Sequence, residues 1–192
     1  MAQRILLLNG HPDPYLERFC AALCDAYAEG ARGAGHEVRR YDLGRLDTPL
    51  LTTAAAFADP PPPGLKTIQA DMEWAEHLVI VFPLWLGAVP AKLKALLEQI
   101  YRGGFGFEVH ARGWNAKLKG RSARLVVTMG MPGPIFRLAF GAHGLKALEK
   151  GVLWLSGYGP IRKTVVGGVE AIGARGRVRW LKRMRDWGVK GV

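Results

Sequence analysis

The chain has 192 residues, 49% of them hydrophobic, and a formal net charge of +11, enough apolar content for one core and a single domain over residues 1–192. No apolar run approaches the roughly 20 residues of a membrane span, and the opening MAQRILLLNGHPDP has too short an apolar run and no small-residue cleavage site for a secretory signal. Residues 1–108 carry 10 Lys/Arg against 13 Asp/Glu, whereas residues 109–192 carry 17 against 3; without a nucleic-acid motif or an alternating series of aromatics, that half reads as a solvated basic face and no nucleic-acid partner is expected.

In chain order, Arg4 to Leu8 reads as a short buried strand. Tyr15 to Ala34 reads as a long helix with Leu16, Phe19, Cys20, Leu23 and Tyr27 on one face. Cys20 and Cys24, one turn apart on that helix, are expected reduced and in the core of a cytoplasmic protein. Gly33 and Gly35 stop the helix, and Glu37 to Asp42 alternates like a strand. Leu43 to Lys66, with its proline run, predicts mostly loop. Thr67 to Glu76 predicts a helix that feeds the strand Leu78 to Phe82, an unbroken apolar run of the kind a central parallel strand needs. Pro90 to Tyr101 is the next helix, with Pro90 suited to its first turn. Gly103 to Val109 predicts irregular backbone, with Phe105 and Phe107 at a subunit contact or the mouth of a pocket. Leu125 to Met129 and Ile161 to Val169 are strands, and Gly144 to Ser156 is a helix. Arg175 to Trp187 closes the chain as a helix with Val178, Leu181 and Met184 inward.

Strands alternating with helices imply a doubly wound α/β sheet of about five parallel strands, with right-handed crossovers. In such sheets ligands bind outside the carboxyl ends of the strands. The loop after the central strand, Pro83 to Val89, is aromatic and uncharged, so it suits a flat apolar ligand better than a phosphate. The first turn, Asn9-Gly10-His11-Pro12-Asp13-Pro14, carries neither G-x-G-x-x-G nor a Gly-Lys-Ser/Thr loop, although the helix start behind it can still hold a phosphate. The five histidines, His11, His36, His77, His110 and His143, have no metal-ligand spacing, and no metal site is expected. Read from the residues alone, His11 could instead satisfy local backbone groups, Trp85 could be core packing, and Gly130 and Gly133 could serve only tight turns.

The segments ILLLNGHPDP, FPLWLGAVPAKLKALLEQIY and VVTMGMPGPIFR, followed by FGAHGL, fall in the order and spacing seen in flavodoxin-fold NAD(P)H:quinone reductases, a family that includes ancillary reductases of potassium-efflux systems. The chain resembles that family over nearly its whole length. The resemblance implies a flavodoxin-like three-layer α/β/α fold and a homodimeric flavoenzyme with FAD, or FMN, as its cofactor. NAD(P)H is then the electron donor and a quinone the acceptor. It places His11 beside the flavin phosphates and Leu16, Glu17, Arg18 and Phe19 around them. Pro83, Leu84, Trp85, Leu86 and Gly87 would lie along the ring, and Thr128, Met129, Gly130 and Met131 at its pyrimidine edge. His143 resembles a histidine that faces the substrate and is the expected catalytic residue. Three departures stand out: Leu16, Glu17 and Arg18 where hydroxyls and an amide are usual, Met129 and Met131 in the second loop, and Phe136 near a usual tyrosine. Two other roles are compatible with the resemblance: a flavin-binding ancillary subunit docked on a membrane transporter, and a one-electron carrier, for which the basic surface is unsuited.

Overall fold

A computed structural model describes all 192 residues. The elements in chain order are β1 (Arg4–Asn9), α1 (Phe19–Gly33), β2 (Glu37–Asp42), α2 (Ala54–Ala58), α3 (Pro63–Trp74), β3 (His77–Pro83), α4 (Ala91–Ile100), β4 (Phe107–His110), β5 (Gly113–Ala116), β6 (Ser122–Thr128), α5 (Gly133–Leu138), α6 (His143–Leu148), β7 (Ile161–Val166) and α7 (Gly173–Lys190). Five strands form one parallel sheet in the order β2-β1-β3-β6-β7. The order reverses between β1 and β3, so a crevice opens at the carboxyl ends of those two strands. Every residue of β3 is buried, as its apolar run requires with helices on both faces. One face is covered by α1 and α7, the other by α3, α4 and α6. No helix is long and apolar enough to cross a membrane.

The α1–α7 contact depends on missing side chains. A Cβ at Gly30 would lie 2.2 Å from the Arg185 carbonyl oxygen, and one at Gly188 would lie 2.1 Å from that of Tyr27. The two backbones therefore touch, which only glycine allows. This contact turns α7 so that Gly176, Met184 and Gly188 are buried, while Val178, expected inward, is 64% exposed. Hydrophobicity favoured Val178 for the inner face; the close approach of two backbones decided otherwise.

Other boundaries move for local reasons. Helix α1 begins at Phe19 and not Tyr15, because Asp13 accepts hydrogen bonds from the Tyr15 N–H (2.9 Å) and Arg18 Nε (2.7 Å) and holds Pro14 to Arg18 as a turn. Helix α3 starts four residues before the expected Thr67, with Pro63 in its first turn. The segment read as loop contains a short 3-10 turn, Leu43–Arg45, and α2, whose cap is Thr53 Oγ1 accepting the Ala56 N–H at 3.2 Å. An antiparallel hairpin, β4–β5, occupies part of the stretch expected to be irregular. Helix α5 has no counterpart among the expected elements, and the helix expected from Gly144 is α6 continued by a π turn over Glu149–Trp154. Cys20 and Cys24 are free and buried, as expected.

Candidate functional site

The carboxyl ends of β1, β3 and β6 and the loops beyond them enclose a cleft of about 300 Å³. Its lining comes from every part of the chain: His11, Arg18, Phe19 and Cys20, then Pro83, Leu84 and Trp85, then Thr128, Met129 and Gly130, and finally Val169 and Glu170. Nine of the fourteen residues assigned to a cofactor from the sequence are in this set. Leu16, Glu17, Leu86, Gly87 and Met131 are not on the cleft lining, and neither is His143.

The first loop is tied down from beneath. Asn9 is buried and donates from Nδ2 to Asp42 Oδ1 at 2.9 Å, while its Oδ1 accepts the His11 N–H at 3.2 Å. Gly10 threads between β3 and α4, where a Cβ would come within 2.8 Å of Leu93 Cδ2. The Asp13 N–H donates to His11 Nδ1 at 3.1 Å, which leaves Nε2 as the protonated nitrogen of a neutral ring. Burial moves the His11 pKa down against the pull of Asp13, so the ring stays neutral at pH 7. Its edge meets the Trp85 ring at a centroid separation of 5.9 Å. The next turn supplies donors. The amides of Leu16 through Ala21 donate to no other group of the chain, and α1 adds its positive end. Arg18 is the cation there, paired with Asp13 at 2.5 Å; the Tyr15 amide and Arg18 hold the Asp13 carboxyl below its ordinary pKa.

The second loop is a tight turn. Trp85 and Ala88 exchange N–H···O bonds of 3.0 Å in both directions, with Leu86 at φ +47° and Gly87 at φ +79° between them. Leu86 is fully exposed and Trp85 is half exposed, so neither is core packing. A Cβ at Gly144 would lie 2.0 Å from the Gly87 carbonyl oxygen, so the first turn of α6 rests directly on this loop. His143 precedes that contact and is exposed, with its ring folded over Gly141. It stands beside the ring loop and outside the cleft.

The third loop is pinned to its neighbours. The Leu84 N–H donates to the Thr128 carbonyl at 2.7 Å, and the Met129 N–H to that of Val166 at 2.9 Å. The amides of Gly130 and Met131 donate to nothing in the chain. Below them Thr128 Oγ1 and Cys20 Sγ are 3.3 Å apart, and burial raises the Cys20 pKa to about 11, so the thiol is protonated and unreactive at neutral pH. Glu170 reaches across to Gly130, where a Cβ would stand 2.8 Å from Glu170 Oε2. Phe136, placed near the substrate by the resemblance, is instead fully buried in the core. No cluster of His, Cys, Asp or Glu could hold a metal ion.

A family profile described as flavodoxin-like fold matches residues 3–186. The chain belongs to this family. Among its relatives, a ribosyldihydronicotinamide dehydrogenase-like protein of Penicillium crustosum is 28% identical over 155 residues, 66% of this chain and 57% of that protein. The chain thus spans little more than half of that relative. An FMN-dependent NADH:quinone oxidoreductase of Nitratidesulfovibrio vulgaris is 27% identical over 76% of this chain and 75% of its own length. Of solved structures, the NAD(P)H:quinone oxidoreductase of Methanothermobacter marburgensis superposes with a TM-score of 0.82 over 100% of both chains at 20% identity, a likeness of fold.

This flavodoxin-like chain offers what a flavin needs from its protein: free amides at a helix start for phosphate, two half-exposed apolar loops for the ring, and unpaired amides at Gly130 and Met131 for its polar edge. Sequence reasoning missed Asn9, Cys20, Val169 and Glu170. Asn9 stood inside the first motif and was signalled by being a lone amide in an apolar strand. Val169 and Glu170 had no motif, because they reach the cleft only through the register of β7 against β6.

Proposed function

We propose that this protein is a flavin-dependent NAD(P)H oxidoreductase that reduces a quinone or a similar electrophile. The observation that carries this reading is the cleft at the switch point, where two of three separated loops expose free backbone donors and the third supplies an aromatic wall. When bound, the flavin would supply the two-electron relay between the nicotinamide and the acceptor. The chain's own contribution is placement. The amides of Leu16 to Ala21 and Arg18 would hold the phosphate, His11 as a neutral donor would stand beside it, and Trp85 would wall the ring. The amides of Gly130 and Met131 would donate to the ring edge, a task that Met129 cannot share because its N–H is bound to Val166. FMN is the proposed flavin in preference to the FAD expected from the sequence, supported by the FMN-dependent relative that matches over three quarters of its length.

A homodimer forms part of the proposal. Between α4 and the α6–π-turn segment runs an apolar groove in two lobes of about 320 and 200 Å³, which share Lys94, Leu97 and Val152. Phe107 lines the first lobe, and Ala88 and Gly144, beside His143, line the second. A second copy seated there would cover His143 and the ring loop, making a closed acceptor site of which His143 is the candidate acid. Phe105 packs on Tyr101, at a ring separation of 6.0 Å.

The visible spectrum of the purified protein, with the bound flavin released by heat and identified, tests the reading. A yellow protein bleached anaerobically by NAD(P)H and recoloured by a quinone is the expected result. A colourless protein that takes up neither FMN nor FAD would overturn it.

A further inference from the structure

Helix α7 carries seven of the chain's 27 Lys/Arg residues and a single carboxylate, Asp186. Lys182 pairs with Asp186 at 2.9 Å and Arg185 with Glu29 of α1 at 2.5 Å. Arg175, Arg177, Arg179, Arg183 and Lys190 have no carboxylate within 4.0 Å. The other acid on the outer side of α1, Asp25, is already paired with Arg40. Because Gly176, Met184 and Gly188 turn inward, the opposite face presents Arg175, Val178, Arg179, Lys182, Asp186, Val189 and Lys190 at helical spacing. Val178 is 64% and Val189 51% exposed, and nothing in the chain covers them.

We infer that the outer face of α7 docks on an anionic lipid surface. The cations form a stripe along 18 residues of helix, a shape that meets a plane along its whole length. Each Lys or Arg brought near an anionic bilayer adds attraction within about a Debye length, and the long side chains can lie along the headgroups while Val178 and Val189 face the acyl boundary. Two apolar residues and one carboxylate, Asp186, interrupt the basic face, so the helix adsorbs reversibly and does not insert. A protein partner fits less well, since the face has no aromatic anchor or pocket to supply a hot spot. Nucleic acid fits less well too: Trp180 and Trp187 are half-buried, and the Arg183 guanidinium stands 5.3 and 5.0 Å from their ring centres, so they offer no stacking platform.

The start of α7 adjoins the cleft. Val169 and Glu170, which line it, lie just before α7 in the chain, and Arg177 lies 5.6 Å over the ring of Phe19 on the cleft wall. Adsorption would bring the cleft close to the bilayer, where apolar quinones partition. That benefit rests on the proposed function; the docking itself does not.

The test is sedimentation of the purified protein with sucrose-loaded vesicles, either of neutral phosphatidylcholine alone or with about one third phosphatidylglycerol, at low and high salt. Binding to the anionic vesicles alone, abolished by high salt, is expected. The triple variant Arg175→Glu, Arg179→Glu and Lys182→Glu should lower partitioning by roughly a hundredfold or more while its circular dichroism stays that of the parent. The control Arg112→Glu, Lys119→Glu and Lys146→Glu, with the same change in net charge away from α7, should keep most of the binding. Equal loss in both triples would overturn the assignment to α7. Failure of the parent to sediment, or binding to duplex DNA without binding to vesicles, would overturn the lipid surface. Flavin content is read on the same samples, so an error in the proposed function shows as a colourless protein that still sediments.

Discussion

The two ends of the parallel sheet are finished in opposite ways. At the amino end most polar groups are paired off, with His77 Nε2 and Gln3 Oε1 the exceptions. Arg124 is buried, donates from Nε to the Val192 carbonyl at 2.8 Å, and stacks 3.9 Å over Trp187. His36 accepts the Gln3 N–H at 2.9 Å and contacts the Val189 carbonyl at 3.2 Å through its other nitrogen. Arg121 donates to the carbonyls of Ala75, Lys119 and Glu73. These bonds fasten the end of α7 and the starts of the strands. At the carboxyl end, eight amides, Leu16 to Ala21 with Gly130 and Met131, point to nothing in the chain, while Trp85 and Leu86 stand in water. One end is largely satisfied within the chain, and the other presents its free donors to a ligand. Substitutions at the amino end should therefore register in stability, and those at the carboxyl end in binding and turnover.

The largest effect belongs to the closed end. His77 is fully buried, its Nδ1 2.7 Å from Ser122 Oγ and its Nε2 without a partner. Burial first, and then Arg124 and Arg162, push its pKa down to about 3 from 6.5. The folded state thus binds fewer protons than the unfolded chain between those values. The contribution is fully present above pH 6.5 and is lost as pH falls toward 3, roughly 5 kcal/mol over the whole window. Urea midpoints measured from pH 7 down to pH 4 should fall accordingly, and His77→Leu should flatten that limb. An unchanged limb would remove His77 from the acid response.

Next in size is Gly188→Ala. In an ordinary helix interior this exchange stabilises by about 1 kcal/mol. Here the new methyl would meet the Tyr27 carbonyl at 2.1 Å, so α1 and α7 must part, at a cost of about 2–3 kcal/mol. The sign of the change in urea unfolding decides it.

Burial on both faces leaves a plain mark in one dimension, and this is why the central strands were legible in the sequence. The apolar runs Ile5 to Leu8 in β1, Val79 to Phe82 in β3 and Leu125 to Val127 in β6 are all buried. The three loops that follow these strands were legible for the same reason, since a strand's end fixes where its loop begins. The parts that were not legible depend on contacts that no local pattern records. The turn at Pro14 to Arg18 is set by one carboxylate, Asp13, competing with helical propensity. The rotation of α7 is set by Gly30 and Gly188, which stand near opposite ends of the chain. Glu170 reaches the cleft because β7 pairs with β6, a partnership between distant segments.

At the open end, His143→Ala should lower quinone turnover by about tenfold, a modest share of what a general acid can supply, with flavin content and urea midpoint unchanged. Equal loss of flavin would make His143 a support of the Gly87 loop and not a group that faces the acceptor.

The smallest effect is the most informative about how the open end is set. Arg18 is the cation beside the six free amides at the start of α1, and Asp13 holds it at 2.5 Å. Asp13→Asn keeps an oxygen for the Tyr15 amide, so the turn survives, but it removes the charge that competes with an incoming phosphate for Arg18. Affinity for FMN, titrated by fluorescence quenching on the flavin-free protein, should then rise by up to about tenfold, with a steeper dependence on salt. Lower affinity would mean that Asp13 orients Arg18 toward the phosphate and that the ion pair belongs to the binding site. In either case stability should stay near that of the parent, because Arg18 is exposed and the pair lies at the end that the chain leaves for its ligand.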